Sequence, residues 1–300
     1  MKKIILLVII SLILTTIFTF FNIGQCDETI KNIIYIGGSG SGNYTKIQDG
    51  IDNASEDNTI FVYNGIYYEN VIVNKTINII GENKESTIIN GHINGLNNNI
   101  LIVFYILANH VNISGFTITN NITKNNTLES FLFGVGILIK ANNTTIQGII
   151  IKESTIGISL ETAYNNTIIN NTILNISGIG IQLSYLCKDN LLYYNNFINN
   201  TENANDYGNN SWDNNLHGNY WNNYNESDKN NDGIGDIPYN IPNGNNKDNY
   251  PLMMPYDGTF RLKEFYVDYP SVFTMLIIGM ILVILFLIPI AYFWNKKTKK

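Results

Sequence analysis

The sequence predicts an all-β fold, and within that class a single-stranded solenoid of short parallel strands. Three observations carry the prediction. Short β-branched runs recur through the middle of the chain: TIFV (59–62), VIV (71–73), INII (77–80), TII (87–89), ILIVF (100–104), FTI (116–118), GILI (136–139), GISL (157–160) and GIQL (180–183). Asn, Gly and Thr stand between them, helix signals are absent, and the first proline is Pro238. The runs also repeat in register, and a fixed period of short strands and turns is the mark of a coil-by-coil architecture.

The two ends come first, because they carry most of the uninterrupted apolar sequence. Lys2 and Lys3 precede a run from Ile4 to Phe21, the layout of a signal peptide or signal anchor over residues 1–26. At the other end, residues 271–294 are expected to form a transmembrane helix. Val272 to Trp294 is apolar and uncharged for 23 residues, enough at about 1.5 Å per residue to span a hydrocarbon core of about 30 Å. A lysine-rich tail (295–300) places that end in the cytoplasm and the preceding body outside.

Between the ends the basic residues number twelve against 24 acidic ones, a net charge of −12 on the exported part. Such a surface repels phosphate backbones, so nucleic-acid binding is excluded as a function class. Only Cys26 and Cys187 are present, and no disulfide framework can be built from them.

The repeat appears when ANHVNISGFTITNN, ANNTTIQGIIIKES, YNNTIINNTILNIS and DNLLYYNNFINN are aligned. His110, Asn143, Asn166 and Asn190 fall in one column; Gly115, Gly148, Asn171 and Asn195 form the next. Thr117, Ile150, Ile173 and Phe197 form a third, and Gly136, Gly157 and Gly180 a fourth. A column of Gly and Asn marks a bend with positive φ. Stacked asparagines can also bond to one another from rung to rung. About 22 residues per coil fits three strands and three bends, the rung of a parallel β-helix.

The opening YTKIQDGIDNASEDNTIFVYNGIYYENVIVNKTINIIGENKESTIING (44–91) resembles the start of pectate-lyase-like right-handed β-helix proteins. The resemblance implies a short N-terminal capping helix with Ile47, Ile51 and Ala54 as its apolar stripe. The coils are similar to the NosD-like, carbohydrate-binding and sugar-hydrolysis branch, and GNYWNNYNESDKNNDGIGDIPYNI with DNYPLM (218–253) looks like the tail of NosD-like surface proteins. The expected plan is a right-handed parallel β-helix over 33–211, an aromatic, Asn-rich capping module over 212–257 and a stalk over 258–270.

For function the resemblance implies three readings. The favoured one is a membrane-anchored, non-catalytic surface protein that binds carbohydrate or cell-envelope components. Polysaccharide cleavage is the rival, but it needs clustered acids with a basic residue, or facing carboxylates. The single arginine, Arg261, lies beside the membrane, and the acids of the coils from 92 to 200 are only Glu129, Glu153, Glu161 and Asp189. Copper-site maturation is the third. It wants imidazole or sulfur donors, and His92, His110, His217, Met253 and Met254 are scattered. Catalytic residues are therefore expected to be none.

Two further sets are candidate binding residues. Tyr193, Tyr194, Trp212, Tyr220 and Tyr224 offer aromatic faces to sugars, while Trp221 is expected to cap the solenoid's open end. The run DKNNDGIGD (228–236) spaces Asp228, Asn230, Asp232, the Ile234 carbonyl and Asp236 at positions one, three, five, seven and nine of a calcium loop, with Gly233 at the sharp turn. Tyr239 stands where a bidentate Glu would close the site, so Asp213, Asp248 or Asp257 is expected to fold back and complete it. The calcium would be structural.

Overall fold

The computed structural model describes residues 33–91, 96–97, 100–120 and 133–258. The expected signal (1–26), stalk, transmembrane helix and cytoplasmic tail lie outside the described residues. No helix among the described residues is long and apolar enough to cross a membrane.

Three sheets run the length of the body. The first aligns Ile33–Ile36, Thr59–Val62, Asn78–Gly81, Asn112–Ser114, Thr145–Gln147, Thr167–Ile169, Lys188–Tyr193 and Asn209–Ser211. The second aligns Gly65–Tyr68, Thr87–Asn90, Thr117–Thr119, Ile150–Lys152, Thr172–Leu174, Asn196–Ile198 and Tyr220–Trp221. The third aligns Val71–Val73, Ile100–Ile106, Phe133–Ile139, Ile156–Leu160, Ile179–Leu183 and Glu202–Asp206, with Leu96–Asn97 paired antiparallel at its side. From Thr59 onward the chain visits the three sheets in rotation, which is a parallel β-helix. The described residues through Tyr256 form one compact unit.

The alternation of a strand decides what fills the interior. In the first sheet Ile60, Ile79, Ile113, Ile146, Ile168 and Leu192 stack in register and are fully buried. In the second, Ile89, Ile118, Ile151, Ile173, Phe197 and Trp221 do the same. Each such side chain contributes about 1.5–3 kcal/mol on leaving water. Gly136, Gly157 and Gly180 stack in the third sheet as expected. A Cβ on Gly157 would run into the Gly180 carbonyl, and one on Gly180 into the Asn203 carbonyl, so that column is small because the backbones of successive coils close on it.

The expected helix forms over Ile47–Asn53 and caps the first coil, with Ile47, Ile51 and Ala54 buried. Side chains from the first full coil hold both its ends. Glu69 accepts the N–H groups of Ile47 and Gln48 at 2.9 and 3.1 Å. Lys75 Nζ donates to the carbonyls of Ile51, Asp52 and Ala54 at 3.0, 2.7 and 2.7 Å. A carboxylate at the N-terminus and an ammonium at the C-terminus complement the exposed backbone groups and the helix dipole.

The alignment of the asparagine columns needs a correction of one residue. Thr144 pairs with Asn166 at a separation of 22 residues, and Asn166 with Asn190 at 24. The true columns are therefore Val111, Thr144, Asn166 and Asn190, and Phe116, Ile149, Asn171 and Asn195. Likewise Ile150 lies over Thr172, and Ile151 over Ile173. The left-handed bends are made by the residue just before each ladder asparagine: His110, Asn143, Asn165 and Asp189 at one corner, and Gly115, Gly148, Asn170 and Tyr194 at the other, all at φ between 55 and 80°. Asn143, Gly115 and Gly148 thus make bends; Asn166, Asn171, Asn190 and Asn195 do not.

Those four are fully buried and form two amide ladders with Asn210 and Asn219. In the first, Asn166 Nδ2 donates to Asn190 Oδ1 at 2.9 Å, and Asn190 Nδ2 to Asn210 Oδ1 at 2.8 Å. In the second, Asn171 Nδ2 donates to Asn195 Oδ1 at 3.0 Å, and Asn195 Nδ2 to Asn219 Oδ1 at 2.9 Å. Each Oδ1 of Asn190 and Asn195 also accepts the backbone N–H of the asparagine one coil earlier. The spare amide hydrogens go to backbone carbonyls of the preceding coil. Every side-chain polar atom of the four asparagines is satisfied, as burial demands, whereas the buried hydroxyl of Thr144 at the head of the first ladder has no partner.

Candidate functional site

Both ladders end at carboxyl groups where the last coil closes. Asn210 Nδ2 donates to Asp206 Oδ1 at 2.8 Å, and the Trp212 indole N–H to Asp206 Oδ2 at 2.8 Å. The Asn219 backbone N–H donates to Asp248 Oδ2 at 2.7 Å, joined by the Trp221 indole N–H at 2.8 Å; Tyr250 N–H takes Oδ1 at 3.0 Å. Burial pushes the Asp248 carboxyl up to about 7, against the downward pull of these donors and with a further upward push from Asp213. Beside the pair, Phe197, Trp221 and Tyr239 stack as parallel rings, with centroids 4.3 and 4.2 Å apart. Trp221 is the expected cap, fully buried.

This closure leaves a cleft of about 530 Å³ between the last strand of the third sheet and the segment that folds back over it. Its lining comprises six asparagines (200, 203, 205, 222, 223 and 243), with Thr201, Glu202, Ala204, Tyr239 and Pro242. Asn203 and Asn205 are its buried floor; Glu202, Asn222, Asn223 and Asn243 are its exposed rim. The amides form two relays. Asn243 Nδ2 donates to Asn205 Oδ1 at 2.7 Å, and Asn205 Nδ2 to Glu202 Oε2 at 2.8 Å. Asn203 Nδ2 donates to Asn223 Oδ1 at 2.9 Å, and Asn223 Nδ2 to the Tyr239 hydroxyl at 3.2 Å. The site is polar, preorganised and carries one carboxylate.

None of the five aromatic candidates lines this cleft. Trp212 is fully buried, tilted against the stacked Phe197 and Trp221 rings at 6.2 and 5.7 Å, and so packs on protein rather than standing open to a sugar. Tyr194 stacks on Tyr256 at 4.2 Å and lies 5.1 Å from Tyr193 and 5.3 Å from His217. Burial and those two neighbouring tyrosines push its hydroxyl up to about 12. Tyr220 is half-buried on the final strand of the second sheet. The Tyr224 hydroxyl donates to the Ile237 carbonyl at 2.6 Å, and burial raises it. Tyr239, which sequence reasoning treated only as a missing calcium ligand, is the ring that reaches the cleft.

In the 228–236 loop Gly233 takes φ +86°, the expected sharp turn. Asp228 accepts the N–H groups of Asp232 and Gly233 at 3.2 and 3.0 Å, and Asp232 accepts that of Ile234 at 2.9 Å. Asn230 Nδ2 donates to Asp232 Oδ2 at 2.9 Å, and Asp236 accepts the Lys229 N–H at 3.0 Å. Two of the three expected closing ligands, Asp213 and Asp248, are engaged elsewhere. Asp248 ends a ladder, and Asp213 accepts the backbone and side-chain N–H groups of Asn249 at 2.9 Å each. Among the described residues no three of His, Cys, Asp and Glu converge as a metal site.

The profile of the family described as "Periplasmic copper-binding protein (NosD)" matches residues 51–226, more than half of the chain. The chain belongs to the NosD family. No curated protein matches it significantly. Among solved structures it is similar to a pectin methylesterase from carrot, at 18% identity and a TM-score of 0.42 over 62% of this chain and 60% of that one. It is also similar to a catalytic domain of GH87 α-1,3-glucanase in complex with tetrasaccharides, at 17% identity and 0.41 over 61% and 31%. A pectin methylesterase from Aspergillus niger follows at 11% and 0.37, over 63% and 74%. The NosD chain thus spans under two thirds of the carrot enzyme's length.

The described residues do not fit copper. His110 sits at a bend entering the first sheet, and His217 lies against Tyr194, three coils further on. At about 4.8 Å per rung that is about 14 Å along the axis. Cys187 is buried and its thiol donates to the Leu160 carbonyl at 3.3 Å, while Met254 is exposed. Among the described residues, imidazole and sulfur donors are not gathered into one site, as copper requires.

Proposed function

We propose that this NosD-family chain is a non-catalytic binding protein for carbohydrate or cell-envelope components, working outside the cytoplasm and tethered by a helix over 271–294. The single observation that supports the reading is the preorganised amide-lined cleft at the closed end of the β-helix. Side-chain amides and a tyrosine hydroxyl are the groups that pair with sugar hydroxyls. Glycoside hydrolysis uses two facing carboxylates, and Glu202 is the only acid in the lining. The family description supports an extracytoplasmic body. Glycan-array binding with the full-length protein, read alongside a reducing-end and unsaturated-product assay, tests the proposal. Binding without product release is expected; turnover of any bound glycan would replace this reading with an enzymatic one.

A structural calcium ion in the 228–236 loop belongs to the same reading. The oxygen spacing and the Gly233 turn support it. Millimolar calcium is expected to raise the melting temperature of the wild type but not of Asp232→Ala. An unchanged wild-type melt would leave the loop as turn structure alone.

A further inference from the structure

We infer that the cleft selects neutral, hydroxyl-rich glycans and rejects uronates, an inference that rests on the binding function proposed above. Its lining holds no lysine, arginine or histidine, and the one ionisable carboxylate, Glu202, stands on the exposed rim. A uronate carboxylate entering there would meet a like charge with no cation to offset it, inside an exported body whose net charge is −12. Carboxylate recognition relies on charge-assisted donors from Arg or Lys, and the cleft has none.

The relays also match what a neutral sugar offers. In both, each amide spends one N–H on its neighbour: Asn243 to Asn205 to Glu202, and Asn203 to Asn223 to Tyr239. An amide has two donors and an oxygen with two lone pairs, so the rim amides of Asn223 and Asn243 keep both kinds of capacity. The Tyr239 hydroxyl accepts from Asn223 and retains its own hydrogen to donate. Donors and acceptors alternate along the wall. A sugar hydroxyl is itself a donor and an acceptor and completes such an array; a carboxylate only accepts, so it can use the spare amide hydrogens but gives nothing to the remaining lone pairs of Glu202 and the amide oxygens.

Calorimetric titration of the full-length protein with linear glucose and galactose hexamers, and with the fully de-esterified galacturonate hexamer, tests the inference. At least one neutral hexamer should bind at least tenfold more tightly than the galacturonate. Asn223→Ala should weaken that binding at least fivefold while the variant keeps the wild-type circular dichroism spectrum and a cooperative melt. Glu202→Lys should narrow the neutral-to-uronate ratio at least fivefold, because it supplies the missing cation. Galacturonate binding as tight as the neutral hexamers, or an unchanged ratio in Glu202→Lys, overturns the inference and leaves the binding function standing. No binding of any hexamer, followed by a blank glycan array, removes the binding function itself.

Discussion

At the bend into the first sheet the early coils place Ile77 and Val111 inside, whereas the late coils place Asn166, Asn190 and Asn210 at the same position. The bend into the second sheet repeats the contrast, with Phe116 and Ile149 early and Asn171, Asn195 and Asn219 late. One backbone path is thus lined in two ways. Apolar packing is non-directional, and its cost of error is local. The amide ladder is directional: each carboxamide gives to the next coil, so a break strands groups on two coils, and the run needs an acceptor at its end.

The sharpest way to break this comparison is to remove that end. Asp248→Ala leaves the buried Asn219 and Trp221 N–H donors and the half-buried Tyr250 N–H without a partner. At about 1–3 kcal/mol each, a loss of about 4–5 kcal/mol and a fall in Tm on the order of 10 °C are expected at pH 6. A loss below about 1 kcal/mol would mean that the carboxyl group is not what ends the ladder.

Acidity probes the same group without mutation. The folded Asp248 pKa, about 7, stands above its unfolded value of 3.8, so between those values the native state holds the proton more tightly. The contribution of this group to stability is therefore fully present below the unfolded value and is lost as pH rises toward 7, by up to about 4 kcal/mol, then levels off. Urea midpoints measured from pH 5 to 8 on the wild type and on Asp248→Asn read this contribution as the difference in slope. Parallel curves for the two proteins would count against it.

Within one column the two linings can be compared directly. Asn195→Leu is expected to cost about 3 kcal/mol, since both N–H groups of Asn171 lose their acceptor and Asn219 loses the side-chain donor while keeping the backbone N–H of residue 195. Phe116→Leu, a volume-reducing swap in the apolar part, should cost about 1–1.5 kcal/mol. Equal costs by chemical denaturation would erase the distinction. The smallest effect belongs to the first coil: Lys75→Met removes the ammonium from three helix carbonyls and should cost about 1 kcal/mol.

Much of this architecture was legible in the sequence, because coils of branched residues punctuated by turns leave a period. The Gly136–Gly157–Gly180 column followed from it, the capping helix came from the resemblance of 44–91 to other β-helix openings, and the burial of Trp221 from the need to close the solenoid's end. The ladder register did not. The two bends of one late coil carry adjacent asparagines, Asn165–Asn166 and Asn170–Asn171, of which the first takes positive φ and the second points inward. Composition is blind to that division, and coils of 22 and 24 residues hide it. Asp206 was silent among many loop acids, with only the tryptophan six residues on to hint at a partner, and Asp248 was read as a calcium ligand rather than as the end of a ladder. The cleft joins residues 200–205 to 239–243, and no local pattern announces a surface made from segments so far apart.

The termini of the ladders have a consequence for growth. Both Asp248 oxygens are taken by N–H groups of the closing segment, both Asp206 oxygens by Gly208, Asn210 and Trp212, and the rings of Trp221 and Tyr239 lie over the last rung. A further coil, whether from a longer chain or from a neighbouring molecule, finds no open amide at that end to continue. Duplication can lengthen such a chain only upstream of these acids, and end-to-end polymerisation into fibres is blocked at this face of the molecule.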